Sequence, residues 1–227
     1  MEFNSFYNET REGGTVTLMP KDGVPEYSLI FLHGLGDSAN NISNIFLYND
    51  ILPSTFKVVM PTAPIESVTI NMGFPSTSWF DILSSDISPE SISFDDIKRN
   101  AEIIRELIKK EVELYNGQFD KVFVGGFSQG CAMSLHIALE HENKLGGVLG
   151  FSGFLPFQTK ANHDALDMLL LHGEEDPMIN HKVAELSYKR ITGLNSVSFN
   201  LIKNLGHSID TEAIKLAKAF IKKLTMK

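Results

Sequence analysis

Residues 121–130 have the sequence KVFVGGFSQG, in which a short apolar run leads through two glycines to a serine. The apolar run at 122–124 suits a buried strand, and the helix-like run CAMSLHIALEH begins at Cys131. Gly-x-Ser-x-Gly between a strand and a helix is the pattern of a nucleophile elbow, whose flanking positions must lack a Cβ to avoid a clash. The stretch therefore predicts that Ser128 is a nucleophile at a helix N-terminus, where free N–H groups can stabilise an oxyanion.

Two other interpretations of this stretch need comparison. A glycine-rich turn with an incidental serine would have the same short pattern. A phosphate-binding loop would use Gly125 and Gly130, but it requires Lys and Ser/Thr next, and the chain has Cys131 and Ala132. The phosphate loop is thereby rejected. The nucleophile hypothesis then depends on an acid and a histidine that follow later strands.

Composition limits the classes of function. A chain of 227 residues has room for one large α/β domain or two small ones. The net charge of −8 argues against a nucleic-acid partner. The single cysteine excludes an intrachain disulfide, and neither a secretory signal nor a membrane-spanning run is visible. We therefore expect a cytoplasmic protein.

Apolar runs alternate with helical periodicity along the chain. The runs predict strands at 14–19, 27–32, 56–60, 122–124, 145–151, 168–171 and 197–202, the first at an edge. Helices are predicted at 93–115, 131–141, 181–191 and 210–224. Such alternation predicts an α/β fold, with a mostly parallel sheet covered by helices on both faces, in a single domain over 1–227. The segment 62–89 is too long for a plain connection, and such loops are functional or disordered.

An acid and a base follow two of the later strands. Glu174, Glu175 and Asp176 come after the strand at 168–171, and spacing alone does not choose among them. Asp176 is favoured because Pro177 fixes the turn just beyond it. His207 follows the strand at 197–202, where the base of a Ser-acid-His order belongs.

The other histidines are less suitable as the base. His33 and His172 each end a strand before a glycine, and we expect them to hydrogen-bond loop backbone. Of the remaining histidines, His136 and His141 lie in the predicted helix after Ser128, His163 lies before a strand, and His181 begins a helix.

The loop at 33–37, HGLGD, follows an early central strand and predicts one side of an oxyanion hole. The candidate donors are the backbone N–H groups of Leu35 and Gln129, the residue after the nucleophile. Because backbone groups do this work, substitutions of the two side chains need not abolish activity.

These motifs together resemble the acyl-protein thioesterase and lysophospholipase group of small carboxylesterases. The resemblance covers most of the chain, from about Tyr27 to the last helix, and rests on HGLGD at 33–37, PTAP at 61–64, SWFD at 78–81, GGFSQG at 125–130, HGEEDP at 172–177 and GHS at 206–208. It implies an α/β-hydrolase fold with Ser128 as nucleophile, Asp176 as orienting acid and His207 as base. It also implies that no metal or organic cofactor is needed.

The resemblance further implies an apolar acyl channel beside the segment around SWFD. The implied substrate contacts are Leu35, Met72, Phe74 and Trp79, with Ile70 nearby; Trp79 is equally well explained as a packing residue that anchors the loop, and Asp81 as structural. Cys131 stands where the family commonly has glycine and could narrow the pocket. Residues 1–13 are unmatched, and we expect a loosely ordered N-terminal extension.

The implied activity is hydrolysis of acyl thioesters or esters. The expected substrates are S-acylated proteins or lysophospholipids, met through transient contact with a membrane surface by a monomer or weak homodimer. A broad short-chain carboxylesterase is the nearest rival. A catalytically silent acyl-chain binding module is an alternative of another class, although binding alone would need none of Ser128, Asp176 and His207.

Overall fold

The computed structural model describes residues 6–85, 88, 90–162 and 164–226. The predictions for residues 1–5, Pro89 and His163 fall outside the described residues. The strands are β1 Tyr7–Glu12, β2 Thr15–Pro20, β3 Tyr27–Leu32, β4 Phe56–Pro61, β5 Ile65–Val68, β6 Phe74–Thr77, β7 Val122–Phe127, β8 Gly147–Phe151, β9 Asp167–Gly173 and β10 Ser196–Ile202. The helices are α1 Ala39–Ile42, α2 Asn44–Leu47, α3 Phe94–Leu114, α4 Gln129–Glu140, α5 His181–Tyr188 and α6 Thr211–Thr225.

Eight of these strands form one sheet in the order β1-β2-β4-β3-β7-β8-β9-β10. The pairs β1–β2 and β2–β4 are antiparallel, and all others in this sheet are parallel. The predicted α/β class with a mostly parallel sheet is confirmed. Because one sheet connects the described chain from β1 to β10, we propose a single domain. Among the described residues, every helix is too short or too polar to cross a lipid bilayer.

Helices cover both faces of the sheet, and this explains the continuous apolar runs of the central strands. Ile30 and Leu32 of β3 pack in the cluster that contains residues of α3, α4 and α5. Leu29 and Phe31 of the same strand pack in the cluster that contains residues of α1, α2 and α6. Successive side chains of a strand point to opposite faces, so a strand covered on both faces must be apolar at every position.

The N-terminal part of the chain corrects two expectations. Residues 7–12, which we expected to be loosely ordered, form β1 and pair antiparallel with β2 in register from Tyr7↔Pro20 to Glu12↔Thr15. β2 is consequently an internal strand and not the expected edge. The sequence YNETRE gave little signal because only Tyr7 is buried and the other five side chains are exposed or half-buried.

The long segment 62–89 contains a small hairpin of its own. β5 and β6 pair antiparallel and are joined through a 3-10 turn, Thr69–Asn71. The Asp81 carboxylate accepts hydrogen bonds from the Thr69 N–H at 2.7 Å and from its hydroxyl at 2.5 Å. Asp81 thus has the structural contact expected of it, and the hairpin stands beside the carboxyl ends of the central strands.

Candidate active site

Ser128 lies on a sharp turn between β7 and α4. Its backbone has φ 55° and ψ −118°, which a non-glycine residue rarely adopts, and its N–H donates to the Phe151 carbonyl at 2.8 Å. A Cβ on Gly126 would lie 2.4 Å from the Gly130 carbonyl carbon, and one on Gly130 would lie 2.2 Å from the Leu32 oxygen. The turn is therefore as tight as the sequence pattern predicts.

Three side chains that are distant in sequence meet at this turn. His207 Nε2 lies 2.9 Å from Ser128 Oγ, and His207 Nδ1 lies 2.7 Å from Asp176 Oδ2. Since the carboxylate can only accept, Nδ1–H donates to it and Nε2 accepts from the serine hydroxyl. Glu174 and Glu175, the other two candidate acids, are exposed. The arrangement can move the Ser128 proton to the imidazole while the carboxylate holds the ring.

Three N–H groups donate to the Asp176 carboxylate, and His172 Nε2 lies 3.3 Å from it. Oδ1 accepts from the N–H groups of Met178 and Ile179 at 2.8 and 2.9 Å. Burial alone would raise the pKa of Asp176, but hydrogen bonds from His172, His207 and the Ile179 N–H outweigh it and hold the pKa well below its ordinary range. The group therefore stays an acceptor.

Gly173, at the end of β9, lets the loop that carries His207 approach the turn that carries Asp176. A Cβ there would lie 2.2 Å from the Leu205 oxygen and 2.3 Å from the Gly206 oxygen. The Glu175 N–H donates to the same Leu205 oxygen at 2.9 Å. This close backbone contact brings His207, two residues later, to the carboxylate.

The two predicted oxyanion donors lie at the cavity beside Ser128. Leu35 and Gln129 both line it, and no hydrogen bond found among the described residues uses either backbone N–H. Two hydrogen bonds hold the 33–37 loop in place. The Ala63 N–H donates to His33 Nε2 at 3.0 Å, and the Gly36 N–H donates to the Thr77 carbonyl oxygen at 2.8 Å. Burial lowers the pKa of His33, which suits a neutral acceptor. His33 thus bonds loop backbone, as expected.

The Gln129 side chain has a role that sequence reasoning missed. Its Oε1 accepts from the Trp79 N–H at 2.8 Å, while Nε2 donates to Ser78 Oγ at 3.0 Å and to Phe80 oxygen at 2.7 Å. These partners fix which amide end is oxygen. The residue after the nucleophile thereby clamps the SWFD segment to the elbow, which is a structural role in addition to the backbone donor expected of it.

A cavity of about 470 Å³ opens above Ser128 and has the size of a small-molecule site. Its wall is largely apolar and includes Ile70, Phe80, Ile82, Ile92, Phe154 and Ile179. The described residues that line it include one carboxylate, Asp37, and no lysine or arginine. Leu35 also lines the cavity.

Three of the predicted substrate contacts are not part of this cavity wall. Trp79 is fully buried, and its indole N–H donates to His33 oxygen at 2.9 Å, so it anchors the loop. Met72 and Phe74 are 86% and 64% exposed on the hairpin. Met72 ends the 3-10 turn in the left-handed region, at φ 57°, which places it at the hairpin tip. The acyl-channel prediction is corrected for these three residues.

Cys131 does not narrow the cavity. Its side chain belongs to the buried core. Its Sγ packs against Gly150 and Gly153 so closely that a Cβ on either glycine would lie only 2.6 or 2.5 Å from the sulfur. Burial raises the pKa of the thiol to about 12. The cysteine is thus an inert packing residue. Within the described residues, no group of three or more His, Cys, Asp or Glu side chains is placed to hold a metal ion.

The clamp predicts a stability effect for Gln129→Met, which keeps the length of the side chain but none of its hydrogen bonds. The buried Trp79 N–H would lose its partner, while the Phe80 carbonyl would keep only its bond from the Ser78 hydroxyl at 2.7 Å. We expect the free energy of unfolding to fall by about 2 kcal/mol. Urea unfolding measures this directly. Leu35→Met is the control, because it leaves every hydrogen bond in place; equal stability of the two variants would contradict the clamp.

The chain is similar to known proteins over most of its length. The family model described as phospholipase/carboxylesterase matches residues 16–225. Acyl-protein thioesterase 1 homolog 1 of Dictyostelium discoideum is 36% identical over 86% of this chain and 89% of its own length. Acyl-protein thioesterase 1 of Mycosarcoma maydis is 32% identical over 92% and 96%.

Solved structures give the same fold. SOBER1 of Arabidopsis thaliana superimposes with a TM-score of 0.76 at 26% identity, over 88% of this chain and 99% of that one. Acyl-protein thioesterase 2 of Zea mays superimposes with a TM-score of 0.77 at 24% identity, over 94% and 99%. The chain therefore belongs to the phospholipase/carboxylesterase family and is a serine hydrolase with the α/β-hydrolase fold.

Proposed function

We propose that this protein is an acyl-protein thioesterase, which removes long acyl chains from protein cysteines through an acyl-enzyme on Ser128. The observation that carries the proposal is the Ser128–His207–Asp176 contact chain, with distances of 2.9 and 2.7 Å, at the base of an apolar cavity. The relatives named acyl-protein thioesterase support the same substrate class.

The proposed reaction has two halves. His207 Nε2 takes the Ser128 proton while Oγ attacks the acyl carbonyl, and the oxyanion is held by the N–H groups of Leu35 and Gln129. His207 returns the proton to the leaving thiol, which leaves an acyl ester on Ser128. Water then attacks this ester with His207 again as base, and the acid and the free serine are released. Asp176 remains ionised and stabilises the imidazolium in both halves.

The cavity wall supports a long acyl group in preference to a phospholipid head group. The apolar lining matches a hydrocarbon chain, whose burial stabilises binding by about 0.8 kcal/mol per methylene. A phosphate would meet the Asp37 carboxylate and no lysine or arginine among the described lining residues. We therefore favour protein thioesters over lysophospholipids.

A series of thioesters from butyryl to palmitoyl tests the proposal. We expect kcat/KM to rise with chain length, because each added methylene contacts the cavity wall. Ser128→Ala is the blank for uncatalysed thioester hydrolysis. A steady fall in kcat/KM from butyryl to palmitoyl would instead identify a short-chain carboxylesterase, and no turnover of any member would favour a silent binding module.

We further propose that the β5–β6 hairpin contacts the membrane surface where such substrates lie. Ile65, Met72 and Phe74 are 74%, 86% and 64% exposed, and Ile70 of the connecting turn lines the cavity. Exposed apolar side chains beside a lipid-binding cavity gain free energy by entering the membrane interface.

The double variant Met72→Ser with Phe74→Ser tests this contact. We expect hydrolysis of a palmitoyl peptide in vesicles to fall about tenfold, since two apolar anchors are lost, with no change for a soluble thioester. Val24→Ser is the matched control: Val24 is 86% exposed but precedes β3, at the amino ends of the parallel strands and so away from the cavity at their carboxyl ends. An equal loss in the control, or none in the double variant, would remove the hairpin proposal.

A further inference from the structure

A second histidine, His172, contacts the same oxygen of the proposed acid as the base does. His172 is the last residue but one of β9, and its side chain has no exposed surface. Its Nε2 lies 2.8 Å from the Ile179 carbonyl oxygen and 3.3 Å from Asp176 Oδ2. The Asp176 oxygen that receives His207 is therefore shared between two imidazoles.

The tautomer of His172 follows from its neighbours. Both atoms near Nε2 are acceptors, so Nε2 carries the hydrogen; it donates to the Ile179 carbonyl at 2.8 Å and lies 3.3 Å from the Asp176 carboxylate. Nδ1 is buried and has no hydrogen-bond partner among the described residues. A buried polar atom without a partner is unfavourable, so packing alone would favour an apolar side chain here. The imidazole is explained by its donor at Nε2.

The donor is well placed to orient the carboxylate. Ile179 accepts from His172 through its carbonyl and donates through its N–H to Asp176 Oδ1 at 2.9 Å. His172 thus closes the turn that carries the acid and also contacts Oδ2, the atom that binds His207 at 2.7 Å. The hydrogen bond from His172 also helps to keep the pKa of Asp176 low.

We propose that His172 is a positioning residue for the reaction: its Nε2–H aims Asp176 Oδ2 at His207 Nδ1. This inference rests on the proposed roles of Ser128, His207 and Asp176. It goes beyond them because it assigns to a buried residue outside the cavity an effect on the chemical step. A residue that acts only through the geometry of the acid should change kcat and leave KM nearly unaltered.

Two matched substitutions separate the donor from the bulk of the ring. His172→Gln places an amide N–H where Nε2 stands, and His172→Met fills the same length with no donor. We expect His172→Met to lower two quantities about tenfold: kcat for a thioester and the rate at which a fluorophosphonate labels Ser128. We expect both quantities to stay near the wild-type values in His172→Gln. Should His172→Met fail to fold, His172→Asn serves instead, since its amide reaches only the Nδ1 position and the same tenfold loss is expected.

Two readouts distinguish positioning from a purely structural role. The low-field proton resonance of His207 Nδ1–H should change in His172→Met and return in His172→Gln. In an Asp176→Ala background, His172→Met should cause no further loss of labelling rate, because the carboxylate through which it acts is gone. Full additivity of the two losses, or equal rates for His172→Gln and His172→Met, would overturn the inference. Wild-type protein that is not labelled at all would instead overturn the proposed function.

Discussion

Ser128→Ala is expected to lower kcat for a palmitoyl thioester by about 10⁴- to 10⁶-fold, the loss that triad nucleophiles show on such a change. The hydroxyl that His207 Nε2 contacts at 2.9 Å would be gone, and with it the oxygen that carries the acyl group in the proposed reaction. Steady-state assays with the purified variant measure the loss.

The fold should survive this substitution, which makes the kinetic result interpretable. Alanine fits the space of serine, and the elbow is held by backbone contacts such as the Ser128 N–H to Phe151 oxygen bond of 2.8 Å. The melting temperature should therefore match the wild type. A variant that retained more than about one hundredth of the wild-type kcat would contradict the proposed role of Ser128.

Gly130→Ala is expected to have the largest effect on the fold. The added Cβ would lie 2.2 Å from the Leu32 oxygen at the end of β3 and 2.6 Å from the His33 oxygen in the loop that follows, both backbone atoms that cannot rotate away. Overpacking of this kind typically costs up to about 3 kcal/mol, and here the free energy of unfolding should fall by at least that amount. Activity should also fall, because displacement of the end of β3 would move the 33–37 loop, which carries a proposed oxyanion donor.

Gly193→Ala is the matched control, since a Cβ there has nothing within 4 Å. Chemical unfolding of the two variants beside the wild type gives the comparison. We expect Gly193→Ala within about 0.5 kcal/mol of the wild type, as for surface substitutions in general. A Gly130→Ala protein of wild-type stability would mean that the helix and strand are not in such close contact.

The central fold could be predicted because burial on both faces leaves a strong local signal. β3 and β7 are apolar at nearly every position, and both lie in the middle of the sheet. β1 could not be predicted, because a strand with one buried side chain has no such run. Its position depends on pairing with β2, which is a tertiary contact.

The three side chains proposed for catalysis were easier to predict from the sequence than the residues that line the cavity. Ser128, Asp176 and His207 each follow a strand of a parallel sheet, and the carboxyl ends of such strands lie at one edge. The direction of a loop side chain depends on backbone angles instead, and Met72, at φ 57°, is 86% exposed. Phe74 begins β6 of a two-stranded sheet and is 64% exposed there. The Gln129 clamp joins residues about fifty positions apart, which no local pattern encodes.

The most direct test of the account is peptide mapping by mass spectrometry after treatment of the folded protein with a fluorophosphonate. A serine becomes reactive toward this probe only when a base removes its proton and an oxyanion hole receives the phosphoryl oxygen. We predict one stoichiometric adduct, on Ser128, that disappears in Ser128→Ala and forms much more slowly in His207→Ala. An unmodified Ser128 peptide, or an adduct on another residue, would contradict the assignment of the site.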